Sequence, residues 1–297
     1  MTSSLHPALR RRAPLLTDPV DRSLRWVVVK LKGDLTRPGA DSFALSSSLT
    51  GDVFLGEELN VLAYPSDFAP VKSKVDVVVV GAYEGPREAG IEVGGVRRRV
   101  RVSRDESAHD LMGPVHPLDP RRTPYAGTYD DRWLAERWPG RPADFDIRHH
   151  NVAPPELQLD ALRGDETLSL LRLHPDHELY RCRLPGLWPR LLLADEGAAT
   201  VVDLPLRLDT LIVHADTLEL SLLWRGGVLA DAPTTHTYLV MEPMDARRER
   251  AHHEAKFRAQ IAVPVTEVPN SPPHNDNEAS AAAEREHEQR KLVAELR

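Results

Sequence analysis

Residues 167–193 read TLSLLRLHPDHELYRCRLPGLWPRLLL. Three largely apolar runs, Thr167–Leu173, Glu178–Leu184 and Leu187–Leu193, are divided by His174-Pro-Asp-His177 and by Pro185-Gly186. Proline and glycine supply turn geometry that regular elements do not accept, so the stretch reads as three short strands. The pattern continues through Thr200–Leu206, Thr210–His214, Leu218–Trp224 and Thr237–Met241. Strands recurring every 8–12 residues or so, with turn signals between them, mark an all-β sandwich or barrel. Alternating strand–helix units are absent, which disfavours a doubly wound α/β fold.

The upstream sequence agrees. Trp26–Lys32 alternates, with Val27, Val29 and Leu31 on one face. Val75–Val80 reads VDVVVV, nearly continuously apolar, as expected of a strand buried on both faces. Ile91–Val93, Gly94-Gly95 and Val96–Val102 form a hairpin signal, because two glycines permit the positive φ of a primed two-residue turn. In its second arm Val96, Arg98, Val100 and Val102 share one face and Arg97, Arg99 and Arg101 the other.

Residues 103–163 break the pattern. They are rich in proline and charge, with one helix candidate over Asp130–Trp138 that Thr128 or Asp130 can cap. The expectation is an all-β, sandwich-like fold of about a dozen short antiparallel strands. It carries a Pro-rich irregular middle segment and one short helix. The expected organisation is a flexible N-terminus over 1–20 and a β-rich domain over 21–242, with a possible break near 103–163. A charged helix over 243–262 and a linker with a latent helical tail over 263–297 follow.

Composition narrows the function classes. The 297 residues hold 38 Lys+Arg against 45 Asp+Glu, a net charge of −7, so a general nucleic-acid binder is disfavoured. The single cysteine, Cys182, excludes an intrachain disulfide and a multi-cysteine metal site, and fits a reducing compartment. No apolar run approaches the length of about 18 residues that a spanning helix needs. The arginines at 10–12 are not followed by a signal-peptide core. A cytoplasmic protein without a membrane partner is expected.

Catalytic fingerprints are missing. The chain has no Walker or dinucleotide-binding glycine loop and no G-x-S-x-G elbow. His253-Glu-Ala-Lys-Phe257 lacks the second histidine of a zinc-protease helix. His174 and His177 suit a turn better than a metal, and adjacent His149 and His150 point apart in extended chain. Cys182 sits among alternating strand residues as a buried, inert thiol. Asp130, Asp131, Asp144, Asp146 and Glu156 are the acids to test for glycan hydrolysis, but they read as caps and turn residues. No cofactor or metal is expected. Tyr125, Tyr129, Trp133, Trp138 and Phe145 fall within 21 residues, and such amphipathic aromatics anchor either a satellite core or a partner surface.

Several segments taken together resemble one family. They are Trp26–Lys30; Tyr64-Pro-Ser-Asp-Phe-Ala-Pro-Val-Lys72 running into VDVVVVG; Leu118–Asp130; Trp133 with Arg137-Trp138-Pro139; Asp144-Phe-Asp146; Asn151–Pro155; Leu206–Leu211; and Leu223-Trp-Arg-Gly226. Spread over about residues 20–242, they are similar to a bacterial domain-of-unknown-function family encoded in type VI secretion clusters. Its members are regarded as adaptors or chaperones for effectors with PAAR-like domains. The resemblance implies a non-enzymatic adaptor that binds such an effector and delivers it to the VgrG spike. The partner-binding residues expected on this basis are Tyr64, Asp67, Lys72, Tyr125, Tyr129, Trp133, Trp138, Phe145 and Asn151. The alternatives are a carbohydrate-binding or glycan-hydrolysing β-sandwich, and an exported spike-associated component.

Overall fold

The computed structural model describes residues 9–12, 15–17, 24–37, 43–55, 61–81, 88–101, 123–138, 141–195, 200–229 and 236–244. These contain seventeen strands and one α-helix, so the chain is all-β. They fall into two compact units, each assembled from separated stretches of chain. The larger comprises Leu15–Leu187 and Leu206–Asp231; the smaller comprises Met1–Pro14, Trp188–Pro205 and Ala232–Arg297.

The larger unit is organised by a seven-stranded sheet. Its path runs β10 (Gln158–Leu159), β7 (Val75–Val80), β15 (Arg207–His214), β16 (Glu219–Leu229), β3 (Leu24–Asp34) and β2 (Leu16–Thr17), and β4 (Phe43–Ser46) also pairs with β3. All six residues of β7 are buried, as its composition requires. One pairing departs from the expected antiparallel pattern, because β7 and β15 run parallel, with Thr210 opposite Asp76 and His214 opposite Val80. Parallel neighbours need a long crossover, and here the whole stretch between them provides it.

The register gives the sheet two unlike faces. Trp224 lies opposite Val29 and Leu222 opposite Leu31, and side chains alternate along each strand. Val27, Val29, Leu31, Leu220, Leu222 and Trp224 therefore make one continuous apolar face, all of it buried. The other face carries Lys30, Lys32, Ser221, Arg225, Thr210, His214 and Asp76. The ladder between β15 and β16 slips between Leu208 and Thr210, so Asp209 is an extra residue at a β-bulge.

A second sheet in this unit has the order β12 (His177–Arg183), β11 (Thr167–His174), β8 (Glu88–Val93), β9 (Val96–Arg101). The expected hairpin is β8–β9: Val93 pairs with Val96, and Gly94 and Gly95 have φ of +59° and +75°. A two-stranded ribbon pairs β5 (Val53–Leu55) with β6 (Val61–Tyr64). The middle segment is irregular as expected, with α1 (Asp131–Glu136) shorter than the predicted 130–138.

The smaller unit contains a four-stranded sheet ordered β1 (Leu9–Arg12), β17 (His236–Pro243), β13 (Leu187–Asp195), β14 (Thr200–Pro205). Buried Arg190 ties it together through Asp203 and, at 2.8 Å, Glu242. The N-terminus differs from the flexible segment expected over 1–20. Leu9–Arg12 pairs with β17 and Leu16–Thr17 with β3, because a sheet edge offers backbone partners whatever the side chains. Pro243 ends a strand rather than starting the predicted helix, and Met244 follows as a helical residue. The remainder of that helix and the predicted tail over 263–297 lie outside the described residues.

Candidate functional site

The candidate residues divide into two places. Tyr64, Asp67, Lys72 and Asn151 lie inside the larger unit, on or beside the polar face of the seven-stranded sheet. Asp67 and Lys72 are each only 1% exposed. These four are not surface contacts, which corrects the expectation that they bind a partner. Burying a charge is costly unless it is paired and hydrogen-bonded, and the packing supplies both.

Lys30 Nζ donates to Asp67 Oδ2 at 2.8 Å and to the Tyr64 hydroxyl at 2.9 Å. That hydroxyl donates to Asp67 Oδ1 at 2.8 Å, and the Thr50 N–H donates to Asp67 Oδ2 at 2.8 Å. Burial, and then the Asp67 charge, push the Tyr64 phenol far above its usual range, so it stays a donor. Arg225, fully buried, pairs with Asp209 at the bulge, and its Nη2 donates to the Asp67 carbonyl at 2.9 Å. Thr210 Oγ1 donates to Asp209 at 2.9 Å and accepts from Arg225 at 3.0 Å.

The third pair is Lys72 with Asp76, 2.7 Å apart. Asp76 also accepts from Asn151 Nδ2 at 3.0 Å and from the Val152 N–H at 2.9 Å. Asn151 Oδ1 in turn accepts from Ser73 Oγ at 2.7 Å. Three cations (Lys30, Lys72, Arg225) thus face three carboxylates (Asp67, Asp76, Asp209), and the network carries no net charge. Its chemistry is to pin residues 64–76 and the start of the irregular segment to the sheet.

The second place is that irregular segment. Asp130 caps α1 by accepting from the Trp133 N–H at 2.8 Å. None of the helix's residues is buried. Gly127 has φ of +81°, and a Cβ there would lie 2.9 Å from Pro142 Cβ, so a glycine lets the two loop stretches meet. Asp144 accepts from the Thr128 N–H at 3.0 Å and from its hydroxyl at 2.7 Å. Asp146 caps the 3-10 turn Ile147–His150 and accepts from Arg148 Nε at 2.8 Å. These hydrogen bonds hold the Asp144 and Asp146 carboxyls below the usual range.

Half-buried Tyr125 and Phe145 are covered by guanidinium groups. Arg148 lies 4.3 Å from the Tyr125 ring and Arg141 4.8 Å from that of Phe145. Tyr129 and Trp138 are instead 57% and 66% exposed, and Leu134 is also exposed. The Tyr129 and Trp133 rings meet edge to face at 4.7 Å, and Trp133 and Trp138 at 5.5 Å. The result is a row of three mutually packed aromatics open to solvent. Beside it lies a cleft of about 310 Å3 lined by Thr128, Asp130, Trp133, Glu136, Arg137 and Asp144, among others.

The remaining candidates are local. His174 and His177 close the turn between β11 and β12, with rings 4.7 Å apart. The Asp176 N–H donates to His174 Nδ1 at 3.2 Å, and burial lowers that histidine's pKa. Cys182 is buried on β12, where desolvation pushes the thiol up to about 11. Among the described residues no three His, Cys, Asp or Glu side chains gather as a metal site needs, and no helix is long and apolar enough to span a membrane.

Comparison with known proteins adds one finding. Residues 111–225, which is 115 of the 297, match the model of a bacterial family described as "Uncharacterized protein conserved in bacteria (DUF2169)". The matched stretch takes in the whole aromatic segment and ends at Arg225, the partner of Asp209. No curated protein and no solved structure matches the chain.

Proposed function

We propose that this protein is a non-enzymatic adaptor that holds a client protein against the row Tyr129, Trp133 and Trp138. The observation that carries the reading is the exposure of that row. Large aromatics are the residues most enriched among interface anchors, and isolated water-facing indoles are costly to leave uncovered. The charged candidates deep in the sheet are already neutralised by one another. Nothing about them calls for a substrate.

The sequence resemblance supplies the client's class: a type VI effector with a PAAR-like domain, carried to a VgrG spike from the cytoplasm. Glycan hydrolysis is the weaker reading. A general acid needs its carboxyl pKa raised, whereas Asp144 and Asp146 are held low by caps and turns.

The test is co-expression with an effector encoded nearby. Wild type should retain the effector through affinity purification, and Tyr129→Ala with Trp138→Ala should lose it by about tenfold or more, the range of interface anchors. Retention unchanged in that double variant overturns the reading.

A further inference from the structure

The smaller unit offers a different surface. β17 is eight residues long, His236–Pro243. Its central residues Tyr238, Leu239, Val240 and Met241 are all buried. One edge of this apolar strand is paired only with β1, and only over four residues: Leu9 opposite Met241, Arg10 opposite Val240, Arg11 opposite Leu239 and Arg12 opposite Tyr238. Among the described residues, the positions of β17 flanking those four have no ladder partner in β1.

The covering strand is poorly matched to its place. β-Branched and aromatic residues stabilise a strand beside apolar neighbours, through cross-strand pairs. Leu9-Arg-Arg-Arg12 puts three arginines at the register positions of Val240, Leu239 and Tyr238. A four-residue strand near a chain terminus also belongs to the least stable part of a fold. A longer partner strand with alternating apolar residues would pair with more of β17 and with better-matched neighbours.

We infer that β1 is a placeholder on the β17 edge, and that this edge accepts, by strand exchange, an extended segment of another protein with alternating apolar residues. Main-chain hydrogen bonds then supply affinity and side-chain matching supplies choice. This rests on the adaptor reading and adds a binding mode to it. Its test uses neither the effector nor the aromatic row, so the two can fail separately.

The probe is a fluorescent synthetic peptide, TVTVEVTV, matched in length to β17. It is titrated into the full chain, a variant lacking residues 1–12, and Arg10→Val with Arg12→Val. Vacating the edge should tighten peptide binding about tenfold if β1 occupies it about nine-tenths of the time. The valine variant, a better placeholder, should bind the peptide several-fold more weakly than wild type. Amide exchange at 238–241 should speed up in the deletion variant and slow again with peptide.

Equal affinity for wild type and the valine variant overturns the inference, whether or not the deletion variant folds. So does a folded deletion variant that ignores the peptide, or one that closes its edge by pairing with a second copy.

Discussion

Residues 64–76 and residues 125–150 look alike as sequence. Both are loop-rich, proline-containing and dotted with tyrosine and aspartate. The sheet treats them oppositely. Asp67 and Lys72 vanish beneath the surface, while Tyr129 and Trp138 stay in water. In the first region every charge has a counter-charge within hydrogen-bond reach, and in the second the acids serve as caps and leave the aromatics uncovered. Polar residues held in the interior fix a structure, whereas apolar residues held at the surface are available to a partner. The two regions should therefore answer mutation in opposite ways.

The sharpest break should come at Arg225. Arg225→Met leaves Asp209 buried and unpaired, and losing one partner of a buried pair costs about 3–5 kcal/mol. Urea unfolding should show that loss. Replacing both members, Asp209→Leu with Arg225→Met, should recover much of it, since no lone charge remains. A double variant no more stable than the single one would mean that the hydrogen bonds to Asp67 and Thr210 matter more than charge balance.

Tyr64→Phe comes next. It keeps the ring stacked on His214, 5.8 Å away, but removes the hydroxyl shared by Lys30 and Asp67. Leaving buried polar groups short of a partner costs about 1–3 kcal/mol. The same urea experiment measures it, and client retention should not change.

Much of this architecture is legible in the sequence, and the limits have physical causes. Strand positions follow from local periodicity, so β7, the β8–β9 hairpin and the succession from β11 to β17 can be read directly. Pairing is not local. Nothing in VDVVVV says that its neighbour is β15 or that the two run parallel, and nothing in 188–205 marks it as part of a separate unit. The buried pairs are equally non-local: Lys30 and Asp67 are 37 residues apart, and Arg225 and Asp209 are 16. One clue was available, because an aspartate in a strand buried on both faces demands a cation, and Lys72 stands one short turn before Asp76. Lone charges in a loop otherwise read as solvated, which is why Asp67 and Lys72 were expected at the surface. The exposure of Trp138 depends on how far the middle segment stands from the sheets, and no local pattern encodes that.

Acid should loosen the polar face. His214 Nε2 lies 3.2 Å from Ser221 Oγ, and the ring faces Tyr64, Lys30, Lys32, Glu219 and Asp216. Burial above all holds its pKa below the ordinary value of 6.5, with Lys32 and Lys30 adding and Glu219 and Asp216 opposing. The unfolded chain then binds the proton more readily than the folded one. The stability associated with neutral His214 is full above about pH 6.5, and is lost as pH falls through the lower folded-state value. Thermal midpoints between pH 7.5 and 5.5 should fall less steeply in His214→Gln than in wild type. Parallel slopes would remove His214 from the account.

The smallest effect on stability should come from the aromatic row, and that smallness is the point of the contrast. Trp138→Ala removes a side chain that is two-thirds exposed, and Tyr129→Ala one more than half exposed. Surface substitutions of this kind shift stability by no more than about 0.5 kcal/mol each. A combined loss of several kcal/mol would show that Tyr129 and Trp138 fasten α1 through their contacts with Trp133, making them a satellite core. Unchanged unfolding together with lost client retention would separate the two regions cleanly, because a residue that contributes nothing to the free protein's stability can act only in a complex.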